Sequence, residues 1–212
     1  APDTYRKWRD ETPEGFVFSV KAPRYVTHRK QLSSATDSAL RFIDGVVHLD
    51  DRLGPLVWQL PPVTRSSADE VGPFLEALPA EAGGWPLRHV LEARHESFLC
   101  DEFIALARRH GVATVYTDSP KYPNFADLTA DFVYARLMNS RSEVATGYPA
   151  AELDAWAAHA KLWSEGGEPA GLPHAGAAAA KRTPRDVYVY FINGAKERAP
   201  AAARGLIDRL AR

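Results

Sequence analysis

His89-Val90-Leu91-Glu92-Ala93-Arg94-His95-Glu96-Ser97 is the stretch on which the reading of the fold turns. Its first half has the apolar density of a buried strand, and its second half is crowded with ionisable groups. Side chains in a strand alternate between faces, so Glu92 and Arg94 point one way and His95 the other. An apolar strand that turns charged at its carboxyl end is the pattern parallel α/β proteins use where ligands bind. The stretch therefore predicts a parallel sheet and marks a place on it.

Working outward, residues 4–10 carry Tyr5 and Trp8 at helical spacing and stop at Thr12-Pro13-Glu14-Gly15. Residues 16–21 alternate as a strand, with Phe16, Phe18 and Val20 on one face, and Ala22-Pro23 ends it. A helix is expected over 34–49, with Ala39, Leu40, Ile43, Val46 and Val47 as its buried stripe. Leu53-Gly54-Pro55 punctuates, 56–60 is a short strand closed by Pro61-Pro62, 69–78 is a helix, and Gly83-Gly84 is a loop. Beyond the opening stretch, 101–110 is a helix with Gly111 at its C-cap, followed by strands at 112–117 and 131–137. A helix over 150–163, a strand over 186–191 and a terminal helix over 200–210 complete the chain. Residues 166–185, rich in Gly, Ala and Pro, are the expected flexible loop.

Six strands alternating with helices require a mostly parallel sheet with crossover helices, so the fold class is α/β in a single domain over 1–212. A barrel and a doubly wound open sheet both fit that alternation. The glycine-rich turn expected after the first strand of a nucleotide-binding open sheet is absent.

Bulk properties narrow the function. The formal net charge of −1 argues against a protein held on nucleic acid by bulk electrostatics, so nucleic acid is not the expected partner. One cysteine, Cys100, excludes an internal disulfide framework and suits a reducing compartment; a cytoplasmic location is expected. No apolar run approaches the roughly 18 residues of a membrane span. The chain opens at Ala1, inside an expected helix, as a chain would that is processed or lacks its true start.

Each apolar strand finishes in a residue that can hydrogen-bond or carry charge: Lys21, Gln59, Glu92 with Arg94, Asp118, Arg136 and Asn193. In a parallel barrel such ends converge on one mouth. Charged residues also simply begin loops, and that is the plainer explanation for any one of them. Three cations against two carboxylates tilt the set toward an anionic ligand.

These residues also carry a resemblance. Phe18-Ser19-Val20-Lys21-Ala22-Pro23 with Thr27-His28, Leu53-Gly54-Pro55 with Gln59-Leu60-Pro61-Pro62, Leu91-Glu92-Ala93-Arg94-His95, Tyr134-Ala135-Arg136-Leu137, and Tyr188-Val189-Tyr190-Phe191 with Asn193 together resemble the YecE-like family, domain of unknown function 72. The resemblance covers nearly the whole chain. It implies a TIM-type (β/α) barrel and a family without a firmly assigned activity, and its motif positions include Lys21, His28, Gln59, Glu92, Arg94, His95, Arg136 and Asn193. Members begin with a Gly-rich first strand and a second strand carrying a Glu-x-Asn type motif. Neither is found here, so a barrel apparently lacking its first two βα units is expected. Many members have His-Gly after the Arg-Leu of the seventh strand, where this chain has Met138-Asn139-Ser140-Arg141.

The leading expectation for the chemistry is a small-molecule enzyme, a lyase, isomerase or hydrolase, acting on a phosphorylated or carboxylated substrate. Arg94 and Arg136 would clamp the anion, with Gln59, Asn193 and His28 as further binding residues. Glu92 or Asp118 would move a proton, Lys21 would serve as electrophile or Schiff-base former, and His95 completes the catalytic candidates. A metal-dependent isomerase or hydrolase using His95, Glu92, Asp118 and His28 is an alternative, but no H-E-x-x-H spacing supports it, and no metal or cofactor is expected. A non-catalytic protein binding an anionic metabolite or nucleic-acid phosphate is the third. A raised pKa at Glu92 or Asp118, or a lowered one at Lys21, would favour the enzyme. Ser97 and Ser119 are expected as helix N-caps, Cys100 as a structural thiol, and Arg24, His28, Arg29 and Lys30 as a solvated basic loop. Tyr188 and Tyr190 are expected to pack against helices.

Overall fold

The computed structural model describes residues 2–179 and 182–211. Ala1, and Ala180 and Lys181 of the loop expected over 166–185, lie outside the described residues. The chain forms two compact units, Ala1–Phe98 with Arg109–Val112, and Leu99–Arg108 with Ala113–Arg212. Both are α/β with parallel principal strands, as the alternating pattern requires. Among the described residues no helix is long and apolar enough to cross a membrane.

The first unit runs α1 (Pro2–Asp10), β1 (Phe18–Lys21), α2 (Arg24–Thr27), α3 (Thr36–Val46), β2 (Leu53–Gln59), α4 (Ala68–Glu76), β3 (Glu81–Ala82), β4 (Trp85–Pro86) and β5 (His89–Glu92). β1 pairs with β2, and β2 with β5, both in parallel. The pairing sets Trp58 opposite Leu91 and Gln59 opposite Glu92, so one face of the two strands is apolar while the other carries the polar pair. Trp58 is fully buried and meets Phe42 of α3 and Phe74 of α4 edge-on, at centroid distances of 5.6 and 5.5 Å. Its indole Nε1 donates to His89 Nδ1 at 3.2 Å, and His89 Nε2 lies 2.8 Å from the Pro79 carbonyl. An accepting Nδ1 leaves the proton of the neutral ring on Nε2, where it donates to that carbonyl.

Several local expectations give way to packing. β1 starts at Phe18 rather than at residue 16, and Phe16 and Val17 are exposed. The helix expected over 34–49 is α3 between 3-10 turns at Leu32–Ala35 and Val47–Arg52. Its buried face includes Phe42 while Leu40 is exposed, because α3 turns toward Trp58. Leu53-Gly54-Pro55 is not a break but the start of β2. A Cβ on Gly54 would stand 2.4 Å from Val17 Cγ1 and 2.8 Å from the Phe18 carbonyl oxygen, so glycine is there for close strand approach. Gly83 and Gly84, both at positive φ, are the turn of the small antiparallel β3–β4 hairpin.

The second unit holds α5 (Asp101–Arg109, its last residue grouped with the first unit), β6 (Ala113–Thr117), β7 (Phe132–Leu137), α6 (Ala150–Ser164), β8 (Asp186–Phe191) and α7 (Ala199–Leu210). β6, β7 and β8 pair in parallel, bringing Thr117, Arg136 and Tyr190 level with one another. One face, with Val133, Ala135, Leu137, Val187, Val189 and Phe191, packs with Leu153 and Trp163 of α6 and Ala202 of α7. Tyr188 and Tyr190 therefore do not pack against the helices. They stack on Tyr134 across the strands, at 6.4 and 5.1 Å, because the valines between them occupy the helix side. Within 166–185, the buried Asp127 carboxylate accepts the backbone N–H groups of Ala175 and Gly176. The Arg185 guanidinium reaches the carbonyls of Ala130, Gly166 and Thr183.

The His89 arrangement has a measurable consequence. Burial, only partly offset by the Pro79 carbonyl, holds the imidazole pKa below its ordinary 6.5. The unfolded chain then takes up the proton first, so folding stability falls as pH drops through 6.5. Denaturant titrations between pH 7.5 and 5 should show this slope, and His89→Gln, which can still accept from Trp58 and donate to Pro79, should flatten it.

Candidate functional site

At the carboxyl ends of β1, β2 and β5 the parallel register places Lys21, Gln59, Glu92 and Arg94 on one face of the first unit. Glu92 is 3% exposed, and a buried carboxylate needs partners. Its Oε2 accepts from Gln59 Nε2 at 2.9 Å, and its Oε1 takes both Nε and Nη2 of Arg94 at 2.7 Å. The Arg94 guanidinium is thereby fixed in orientation by a charge-assisted pair. His28 is exposed to solvent, and its pKa is nudged down by the slight desolvation of its ring first, then by the positive charges of Arg24, Lys21 and Arg94. His95 stands apart: its Nδ1 accepts from the Ser97 backbone N–H at 3.1 Å and lies 2.9 Å from Ser97 Oγ. Ser97 Oγ in turn accepts from the Ser66 N–H, and Ser119 Oγ accepts from the Lys121 N–H, so both serines tie loops rather than cap helices.

In the second unit the strand end after β6 supplies Asp118. Its Oδ1 accepts from the Met138 N–H at 2.5 Å and its Oδ2 from the Tyr148 hydroxyl at 2.8 Å. Tyr148, 1% exposed, accepts from the Asn139 N–H at 2.8 Å with the same hydroxyl. Burial raises the Asp118 pKa above its ordinary 3.8, and the hydrogen bonds from Met138 and Tyr148 only partly oppose it. The Tyr148 phenol is pushed up strongly by burial and by the Asp118 charge, so it stays protonated and donating. Asn193 Nδ2 lies 3.6 Å from Met138 Sδ, and its backbone carbonyl accepts from Ser140 Oγ at 2.7 Å. Arg136, at the end of β7, is level with Thr117 and Tyr190.

The first unit thus gathers Lys21, His28, Gln59, Glu92 and Arg94, while in the second Asp118 and Asn193 share the Met138 turn. Tyr148 was not singled out from sequence. It follows Gly147 and precedes Pro149 in a loop, with no spacing that ties it to Asp118 thirty residues earlier. Among the described residues, no three His, Cys, Asp or Glu side chains are gathered to hold a metal ion.

The whole chain, residues 1–212, matches the family described as "Protein of unknown function DUF72". The chain belongs to the DUF72 family. The protein described as "UPF0759 protein YecE" of Escherichia coli strain K12 is 28% identical over 124 residues, a match that takes in 56% of this chain and 44% of that protein. The chain thus aligns with less than half the length of this curated relative. The crystal structure of a DUF72 family protein from Thermotoga maritima superposes over 100% of this chain and 80% of its own, with TM-score 0.71 and 22% identity. One from Enterococcus faecalis does so over 100% and 84%, with TM-score 0.70 and 14% identity. At these identities the likeness concerns the DUF72 fold alone.

The Glu92 network carries a stability prediction. Removing the charge in Glu92→Gln leaves the Arg94 guanidinium, 17% exposed, without its counter-charge. Breaking one side of such a pair costs about 3–5 kcal/mol, so the variant should melt well below the wild type. Replacing both residues, in Glu92→Gln/Arg94→Met, should recover much of the loss, and a calorimetric double-mutant cycle reads the difference.

Proposed function

We propose that this DUF72 protein acts on an anionic small molecule, phosphorylated or carboxylated, by general acid/base chemistry. The observation that supports the reading is the gathering of Lys21, Gln59 and Glu92 at the carboxyl ends of β1, β2 and β5, with the Arg94 guanidinium held there by Glu92. In this reading Arg94 receives the anion and Lys21 adds a second charge. Glu92 is a positioning residue, since its oxygens are engaged by Gln59 and Arg94. His28, beside Thr27 Oγ1 at 3.1 Å, is a hydrogen-bonding partner for the substrate.

Support for acid/base chemistry comes from Asp118, whose desolvated carboxyl is the raised-pKa group an enzyme would use. Tyr148 and the Met138 N–H orient it within the second unit. The reading keeps the TIM-type (β/α) frame expected from the sequence, supported by parallel pairing within each unit and by functional candidates at carboxyl ends of strands. It does not route the reaction through His95, whose Nδ1 is engaged by its own loop.

Thermal melting against sugar phosphates, nucleotides and carboxylates tests the anion reading, since ligands that bind only the folded state raise its melting temperature. One anion class should raise the wild-type midpoint by several degrees and leave Lys21→Ala unmoved. If no anion shifts the wild type, the reading fails. Asp118 has its own signature. A carboxyl with a raised folded pKa binds its proton more tightly folded than unfolded, so it withdraws stability as pH rises from 3.8 through the folded value. Asp118→Asn should remove that fall, seen in paired denaturation curves from pH 3.5 to 7.

A further inference from the structure

A cavity of about 590 Å³ lies in the first unit between the loop after β1 and the loop after β2. Arg29, Lys30 and Arg65 line it against one carboxylate, Glu70; His28 lines it too, while Lys21 and Arg94 do not. The walls are held in place. Glu70 Oε2 accepts from the backbone N–H and the hydroxyl of Ser33, at 3.0 and 3.1 Å, which ties the first turn of α4 to the loop after β1. The Ser66 N–H donates to Ser97 Oγ at 2.8 Å, and the Thr64 N–H closes a turn on the Pro61 carbonyl. Arg29 is fixed along one edge, where Nε donates to the Tyr25 carbonyl at 3.0 Å and Nη2 to Ser38 Oγ at 2.7 Å. Its Nη1 has no hydrogen-bond partner among the described residues, and neither do the side chains of Lys30, Arg65, Thr64 and Ser67, all of which line the cavity. Ser67 also opens α4, a helix of nine residues, without a capping bond from its hydroxyl, so the positive end of that helix lies at the same wall.

Like-signed groups around one concave space focus a field into it, and an oriented guanidinium with uncommitted ammonium and hydroxyl donors is a set that grips a phosphate. The remaining wall is apolar, formed by Leu32, Pro61 and Val63. Val63 is 84% exposed, so its side chain contributes little to the core and is available to a ligand. The volume falls in the range of small-molecule pockets and leaves room beside a phosphate for an organic body. We propose that this cavity is a binding site for a small phosphate monoester with an apolar body. Arg29, Lys30 and Arg65 receive the phosphate, and the body lies on Leu32, Pro61 and Val63. The site does not depend on the anion reading given above, which uses Lys21 and Arg94. A sugar phosphate, hydroxylated all round, fits this wall poorly, and Val63 is the residue that discriminates against it.

Titration calorimetry on the whole chain at fixed ionic strength, with phenyl phosphate, inorganic phosphate and glucose 6-phosphate as probes, tests the assignment. The background is Lys21→Ala, which removes the strand-end cation and so keeps the two readings apart. Phenyl phosphate should bind this variant as it binds the wild type, about tenfold or more tightly than either other probe. Adding Lys30→Ala/Arg65→Ala changes two solvent-exposed side chains and should fold normally. That change should weaken phenyl phosphate about tenfold or more, and Val63→Ser should bring it down to the affinity of inorganic phosphate. The assignment is overturned if phenyl phosphate fails to bind, binds no tighter than inorganic phosphate, or keeps its affinity without Lys30 and Arg65 or without Val63. Binding that disappears in Lys21→Ala alone overturns it as well and supports the strand-end reading instead.

Discussion

A carboxylate buried at the end of a strand has to be met by charge or hydrogen bonds from its immediate neighbours, and at Glu92 that requirement organises the first unit. Water cannot supply the partners, so the adjacent strand gives Gln59 and the chain two residues on gives Arg94. Both arrive without loop entropy, because parallel pairing already holds Gln59 level with Glu92. On the opposite face, the same register presents Trp58 to α3 and α4. A single pairing therefore settles which side of these strands is core and which is polar.

Much of this was legible in the chain itself. Alternation of apolar strands with helical stripes was enough for the α/β class and for the six principal strands, since burial of one face imposes a period that propensity only modulates. The polar strand ends were legible too, because Lys21, Gln59, Glu92 and Arg94 interrupt otherwise apolar runs. What escaped were features decided by tertiary neighbours. Gly54 and Pro55 read as a break, yet a close strand crossing makes glycine the residue that fits. Leu40 and Phe42 exchange roles because the helix turns toward an indole nearly twenty residues away in sequence. The Asp118–Tyr148 bond joins positions that no local period connects.

The two units treat their acids differently, and the contrast is chemical. Glu92 is engaged by a cation and an amide, an arrangement that fixes geometry. Asp118 is satisfied by neutral donors in a desolvated place, which leaves its proton affinity high. Residue type alone could not have separated these roles, since both are carboxylates at strand ends. The separation comes from what burial brings beside each.

The tyrosine stack of β7 and β8 acts as a ruler. Tyrosine and valine alternate along β8, so a slip of one residue would turn the valines and Phe191 away from the helices and drive phenol hydroxyls into an apolar layer. Such a slip is penalised at every position at once, so the strand is indexed to the residue. Just beyond it, Gly194 lies at positive φ against Ser140, where an added Cβ would come within 2.3 Å of the Ser140 carbonyl oxygen. That closeness tolerates no displacement along the strand. The tyrosines thus calibrate the position of Asn193 from several residues away, and a substitution that blurred their stacking would be felt as a misplaced loop before it was felt as a weakened core.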